Sequence, residues 1–128
     1  MLDHISITVA DVEKAKAFYE AALKPLGVGV VMSVSAEETG TTGYYGLGEG
    51  QKPYFWIAEG PTHSGPMHIA LAADARAKVD AFYKAAMAAG AKDNGPPGIR
   101  AQYHPTYYGA FVIDPDGHNL EAVCHLPG

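Results

Sequence analysis

The chain has 128 residues and a formal net charge of −5, and hydrophobic residues make up 48% of it. This length fits one compact domain or two half-sized units that share a core, and the composition is typical of a folded globular protein. The scattered acidic charge, without a basic stripe, argues against nucleic acid as a partner. No stretch reads as a signal peptide or a membrane span, so we expect a cytoplasmic protein.

The first stretch of the chain returns 64 positions later. Residues 4–19 read HISITVADVEKAKAFY and residues 68–83 read HIALAADARAKVDAFY. Matched alanines mean little in an alanine-rich chain, but matched His, Phe and Tyr indicate a duplication. Such a repeat predicts two similar units about a pseudo-twofold axis, each too small to be stable alone. We place module 1 at about residues 1–62 and module 2 at about 63–128 of a single domain.

Each copy opens with the two-residue alternation of a half-buried strand. In the first copy, branched apolar residues alternate with His4, Ser6 and Thr8. The second copy places His68 on one face with Ala70. Because small side chains line the histidine's face in both copies, we expect open space beside each imidazole.

A helix is predicted after each of these strands, because apolar residues recur at helical spacing up to the Phe-Tyr pair and beyond. Asp11 is placed to cap the first helix, while Gly27 and Gly90 are placed to end the two helices.

The rest of each half reads as three strands, so the predicted fold class is α+β with the order βαβββ twice. The turn DPDGH is a strong hairpin signal through its Asp-Gly pair. The predicted strands are VGVVMSVSA, TTGYYGLGEG and PYFWIAE, followed by IRAQYHPTYY, GAFVID and HNLEAVCH.

Three side chains are candidate metal ligands. His4 and His68 hold equivalent positions in the repeat, although buried histidines with satisfied hydrogen bonds give the same pattern. Glu121 lies within an apolar strand, where an unpaired carboxylate is costly unless a cation, a proton or an ion pair compensates it. Two imidazoles and one carboxylate make a three-ligand site with open coordination positions.

These features resemble the vicinal oxygen chelate superfamily, which includes glyoxalase I, fosfomycin resistance enzymes, extradiol dioxygenases and bleomycin-binding proteins. The resemblance covers nearly the whole chain, and its most specific part is FVIDPDGHNLE. It implies that His4, His68 and Glu121 bind a divalent metal, with Fe, Mn, Zn, Ni and Co all left open. It also implies an eight-stranded mixed sheet curved around a metal and substrate cleft, and a homodimer whose sites can draw ligands from both chains.

The strand PYFWIAE departs from the glyoxalase I pattern, in which a fourth ligand, usually Glu, lies on the last strand of the first half. Here Trp56 is best placed to face inward, and Glu59 lies near the strand end. The tryptophan disfavours glyoxalase activity and favours the three-ligand pattern of dioxygenases and fosfomycin enzymes. The lack of Lys and Arg after Glu121 disfavours a fosfomycin reaction.

The stretch RAQYHPTYYG supplies polar groups for the open coordination positions. His104 is the candidate for proton transfer, and a plain loop histidine is the alternative. Arg100, Tyr103 and Tyr108 are candidate substrate contacts together with Trp56, and the tyrosines also read as pocket wall and core.

Two functions follow from these features. The first is a metalloenzyme whose metal binds two oxygens of a small substrate and stabilises an oxyanion, in a dioxygenase, isomerase or lyase reaction. The alternative is a metal-free binding protein of the bleomycin resistance type. Binding proteins of the superfamily typically lack the ligand set, so its presence here favours the enzyme.

Overall fold

A computed structural model describes residues 3–40, 43–61 and 67–128 of the chain. The two modules have the predicted βαβββ order, and the α+β class is confirmed. Module 1 contains β1 (Ile5–Val9), α1 (Val12–Leu23), a 3-10 turn (Lys24–Leu26), β2 (Gly29–Val34), the short α2 (Ala36–Thr39), β3 (Tyr44–Glu49) and β4 (Lys52–Glu59). Module 2 contains β5 (His68–Ala72), α3 (Arg76–Ala88), β6 (Lys92–Ile99), β7 (Tyr108–Ile113) and β8 (Asn119–Cys124).

Each module forms its own four-stranded mixed sheet, with the orders β1-β4-β3-β2 and β5-β8-β7-β6. The first strand of each module runs parallel to the last, and the other pairs are antiparallel. Ile5 pairs with Phe55 in module 1 as Ile69 pairs with Leu120 in module 2. The two mixed sheets agree with the expected modules. Within the described part of one chain, however, the eight strands do not join into one sheet.

The core lies between the sheets and the helices, and α1 packs against α3. Ile7 and Val9 of β1 are buried as the alternation predicted, and the repeated Phe18 and Phe82 are buried with them. The opposite face of each sheet points away from the helices, and we call it the open face. No helix in the described ranges is long and apolar enough to cross a membrane.

The helix ends follow the sequence signals. Asp11 accepts the amide N–H of Lys14 at 3.1 Å and so caps α1. Gly27 and Gly90 have φ angles of 81° and 104°, in the left-handed region that glycine adopts without steric cost.

The second strand of module 2 lies earlier than the sequence predicted. β6 ends at Ile99 and residues 100–107 form a turn, so the predicted strand IRAQYHPTYY was wrong. β6 contains Pro96 and Pro97, which cannot donate backbone hydrogen bonds. They are tolerated because β6 is an edge strand with irregular register around Gly95.

The DPDGH turn between β7 and β8 links module 2 to module 1. Asp114 is 4% exposed and accepts the amide N–H groups of Asp116 at 2.9 Å and His118 at 2.8 Å, which holds the predicted hairpin. Its second oxygen accepts the hydroxyl of Tyr19 in α1, and Asp116 accepts the amide of Ala10 at 3.0 Å. Burial, together with the Asp114 carboxylate, raises the pKa of Tyr19 well above its ordinary value.

Candidate metal and substrate site

The open face of module 2 brings His68 and Glu121 together. Ala70 pairs with Glu121 across the parallel β5–β8 ladder, so the side chains of His68 and Glu121 leave the same face. His68 Nε2 lies 2.7 Å from Glu121 Oε1. The glutamate is fully buried, whereas the imidazole is half exposed. A buried carboxylate and an accessible imidazole thus meet at an open surface.

The second oxygen of Glu121 accepts the hydroxyl of Tyr107, which belongs to the stretch RAQYHPTYYG but was not selected there as a site residue. Burial first, and then the hydrogen bond to Glu121, raises the pKa of Tyr107, so the phenol stays protonated and donates. Tyr107, Gly109 and Phe111 alternate onto the open face, where Phe111 pairs with Glu121. That alternation could have identified Tyr107 once the strand register was known.

His4 lies just ahead of β1 and does not join this pair. Its Nδ1 is 2.8 Å from Asp3 Oδ1, and the other oxygen of Asp3 accepts from Lys52 at 2.8 Å. His4 and His68 border the same cleft of about 270 Å³. Nevertheless, no three His, Cys, Asp or Glu side chains of the described ranges form a group that could hold a metal. One chain therefore brings together two of the three predicted ligands.

Trp56 holds in module 1 the position that Glu121 holds in module 2. Ser6 pairs with Trp56 as Ala70 pairs with Glu121, and Ser6 and Ala70 are equivalent in the 64-residue repeat. Trp56 shares the open face with Ser6, in agreement with the sequence analysis. An indole thus stands in module 1 at the position where module 2 has a carboxylate.

A cleft of about 450 Å³ lies on the open face of module 1 beside Trp56. The indole crosses β3 above Gly46, where an added Cβ would stand 2.9 Å from two of its ring carbons. Tyr44 packs edge-on against Trp56, with ring centroids 5.7 Å apart. The cleft is lined by His4, Ser6, Met32, Val34, Tyr44, Trp56 and Ala58. Its lining is mainly apolar, which suits the body of a small organic molecule.

Two residues considered for the site face the helices instead. Glu59 accepts the amide N–H of Val12 at 3.3 Å and so supports the start of α1. The Tyr108 hydroxyl donates to Asp80 at 2.6 Å, and the Arg76 guanidinium lies 5.1 Å from its ring centroid. The alternation of β7 puts Tyr108 on the same face as the core residues of that strand. Tyr108 is therefore not among the residues of the open face.

Arg100 contacts Phe111, which lies next to the His68–Glu121 pair. Its guanidinium is 5.4 Å from the Phe111 ring centroid and donates to the Pro96 carbonyl at 2.6 Å. The Phe111 ring is in turn 6.2 Å from the His68 ring. Arg100 thus places a positive charge beyond Phe111 on the same side of the sheet.

Tyr103 and His104 lie in the turn that covers this face. Tyr103 is 63% exposed, with its ring 5.0 Å from that of Tyr107. His104 Nδ1 accepts the Thr106 amide N–H at 3.2 Å. The rings of His104 and His125 are 6.1 Å apart, and those of His125 and Tyr107 are 5.2 Å apart. Among the described residues, the rings of His125 and Tyr107 thus lie between His104 and Glu121.

Comparisons with known proteins place the fold. A family model described as the Glyoxalase/Bleomycin resistance protein/Dioxygenase superfamily matches residues 1–122. A glyoxalase/bleomycin resistance protein from Albidiferax ferrireducens T118 is 29% identical, with a TM-score of 0.76 and 99% of both chains covered. A search of curated proteins found no match.

Two further solved structures share the fold at lower identity. Glyoxalase I from Zea mays is 20% identical with a TM-score of 0.72, over 95% of this chain and 43% of that one. The fosfomycin resistance protein FosX from Listeria monocytogenes, complexed with Mn(II) and sulfate, is 19% identical with a TM-score of 0.70, over 97% of this chain and 91% of that one.

Proposed function

This chain belongs to the glyoxalase/bleomycin resistance protein/dioxygenase superfamily, and we propose that it is an enzyme that binds a divalent metal and a small substrate with two neighbouring oxygens. The observation that carries the proposal is the fully buried Glu121 beside an accessible His68 on an open sheet face. Burying a carboxylate is costly, and a metal ion is one of the few partners that compensates it. The shared fold of the Mn(II)-bound FosX supports the same conclusion.

The proposed ligands are His68 and Glu121 of one chain and His4 of the partner subunit, in a homodimer. Two donors meet on module 2, and no third donor joins them within the described part of one chain. Donation of Nδ1 to Asp3 would leave Nε2 of His4 as the metal-binding nitrogen. Two imidazoles and a carboxylate suit Fe, Mn, Co, Ni or Zn better than Ca or Mg.

The bound metal would supply Lewis acid chemistry to the two substrate oxygens. The cleft beside Trp56 would hold the apolar body of the substrate and exclude water from it. Arg100 would add positive charge near the reacting oxygens, and Tyr103 would border the entrance. His104 remains the proposed proton carrier. Because Trp56 replaces a fourth ligand, the site keeps more open positions than that of glyoxalase I, which favours a dioxygenase-type reaction.

Metal titration tests this proposal. Chelator-treated protein should bind one Mn(II) or Co(II) per chain, measured by calorimetry. Glu121→Met should abolish binding, while the control Glu37→Met, on an exposed position of α2, should leave it unchanged. A protein that binds would then be loaded anaerobically and screened with catechols and hemithioacetals. Absence of metal binding by the wild type would refute the enzyme proposal.

One observation favours a metal-free binding protein as the second candidate. Both oxygens of Glu121 already have hydrogen-bonding partners, in His68 and Tyr107, so the carboxylate is satisfied without a cation. The cleft beside Trp56 would then be the binding site. In that case the wild type would bind no metal, and Glu121→Met would leave ligand binding intact.

A further inference from the structure

Tyr107 is placed to control how Glu121 binds a metal. Its hydroxyl donates to Glu121 Oε2, while His68 Nε2 lies 2.7 Å from Oε1. One oxygen therefore faces the histidine and the other is held by the phenol. We propose that Tyr107 is a positioning residue that makes Glu121 a monodentate metal ligand through Oε1. This inference rests on the proposed metal site and deepens it.

The ring of Tyr107 is held in place from several sides. Below it, a Cβ added to Gly109 would stand 3.1 Å from Tyr107 Cε1, so the ring lies directly against the strand. The ring of Tyr103 is 5.0 Å away on one side, and that of His125 is 5.2 Å away at an angle of 89°. The Thr106 hydroxyl donates to the carbonyl of His125 at 2.6 Å, which ties the C-terminal segment to the turn. A ring so packed cannot easily turn its hydroxyl away from Glu121.

The distinction matters because a carboxylate can bind a metal through one oxygen or two. Three protein donors leave three positions on a six-coordinate metal, and a bidentate Glu121 would occupy one of them. A substrate that binds through two oxygens, and a third reactant, need all three positions. By holding Oε2, Tyr107 would keep that position open.

Cobalt absorption tests the inference because the visible bands of Co(II) weaken as its coordination number rises. In chelator-treated holoprotein reloaded with Co(II), we expect Tyr107→Phe to lower the absorbance per bound cobalt, since the freed Oε2 becomes an additional ligand. We also expect metal affinity to fall about 10-fold to 100-fold, as is usual when a group that orients a ligand is lost. The matched control Tyr83→Phe removes a phenol hydroxyl that donates from α3 to Asp93 and should change neither quantity.

A second variant perturbs the contact between Tyr107 and Glu121 without removing the phenol. Gly109→Ala would add a Cβ 3.1 Å from Tyr107 Cε1 and 3.5 Å from Glu121 Oε2, a contact tight enough to displace the ring slightly and disturb its hydrogen bond to the carboxylate. We expect a spectral change in the same direction, with thermal unfolding to confirm that both variants fold. If the wild type binds cobalt and neither variant changes the spectrum, the role of Tyr107 is refuted while the metal site stands. If the wild type binds no cobalt, both proposals are refuted.

Discussion

Replacing Glu121 with methionine tests whether its buried carboxylate serves metal binding or stabilises the fold. The side chain of Glu121 is fully buried, and its partners are the half-exposed His68 and the phenol of Tyr107. Methionine has a similar unbranched shape and no charge. Removing one partner of a buried ion pair is strongly destabilising when the other charge stays buried, whereas replacing the whole pair with apolar residues of similar volume is often neutral or stabilises by about 1–4 kcal/mol. His68 is half exposed, so water solvates its imidazole once the carboxylate is gone, and the substitution resembles the second case. We therefore expect the lower part of that range, about 0–2 kcal/mol of added stability.

Urea denaturation of the chelator-treated protein measures this change. With a slope of about 1–3 kcal/mol per molar urea, the gain corresponds to a midpoint that is unchanged or raised by up to about 2 M. The control Glu37→Met, exposed on α2, should stay within about 0.5 kcal/mol of the wild type. A loss of more than about 2 kcal/mol in Glu121→Met would refute the reasoning, because the carboxylate would then be needed for folding and its burial would no longer indicate a metal.

Three other predictions concern the link between the modules and the cleft beside Trp56. Tyr19→Phe removes a buried bond to Asp114 and should cost about 1.5–3 kcal/mol of unfolding free energy. The fold raises the pKa of Tyr19, so as the pH rises the unfolded chain loses this proton before the folded protein does. The contribution of Tyr19 to the unfolding free energy is therefore fully present below about pH 10, and above that pH it falls by up to about 1.4 kcal/mol per pH unit. Equal alkaline slopes in the wild type and Tyr19→Phe would contradict that. Gly46→Val should displace the indole of Trp56, the single tryptophan, and shift its fluorescence emission; an unchanged spectrum would argue against the contact. Bound Co(II) should quench Trp56 emission in the wild type, because the proposed ligand His4 borders the same cleft as Trp56. His4→Ala should lose this quenching, and equal quenching in both proteins would remove His4 from the ligand set.

The repeat in the sequence was sufficient to predict most of the fold. Alternation in two matched segments predicted which face of each first strand is buried, and Ile7 and Val9 confirm it. The burial of these residues could be predicted because local periodicity decides it. The superfamily resemblance pointed to Trp56 as the inward-facing residue of PYFWIAE, and the structure places it on the open face, in the register that Glu121 has in the second module.

The remaining errors come from information that local patterns lack. Pro96 and Pro97 argue against a strand unless it is known to lie at a sheet edge, and edge position is set by the tertiary fold. Tyr107 and Tyr108 are adjacent, so a shift of one residue decides which of them faces Glu121, and only the β7–β8 register fixes that. The separation of His4 from Glu121 depends on how the two modules pack, which no short motif encodes.

Metal binding by hybrid dimers tests the central claim, that one site takes His68 and Glu121 from one chain and His4 from the other. Dimers of His4→Ala alone, or of Glu121→Met alone, should bind no metal at either site. A hybrid with one chain of each kind joins the intact His4 of one subunit to the intact pair of the other, and should regain one Co(II) per dimer. A hybrid that binds none, beside a wild type that binds two, would contradict the shared site.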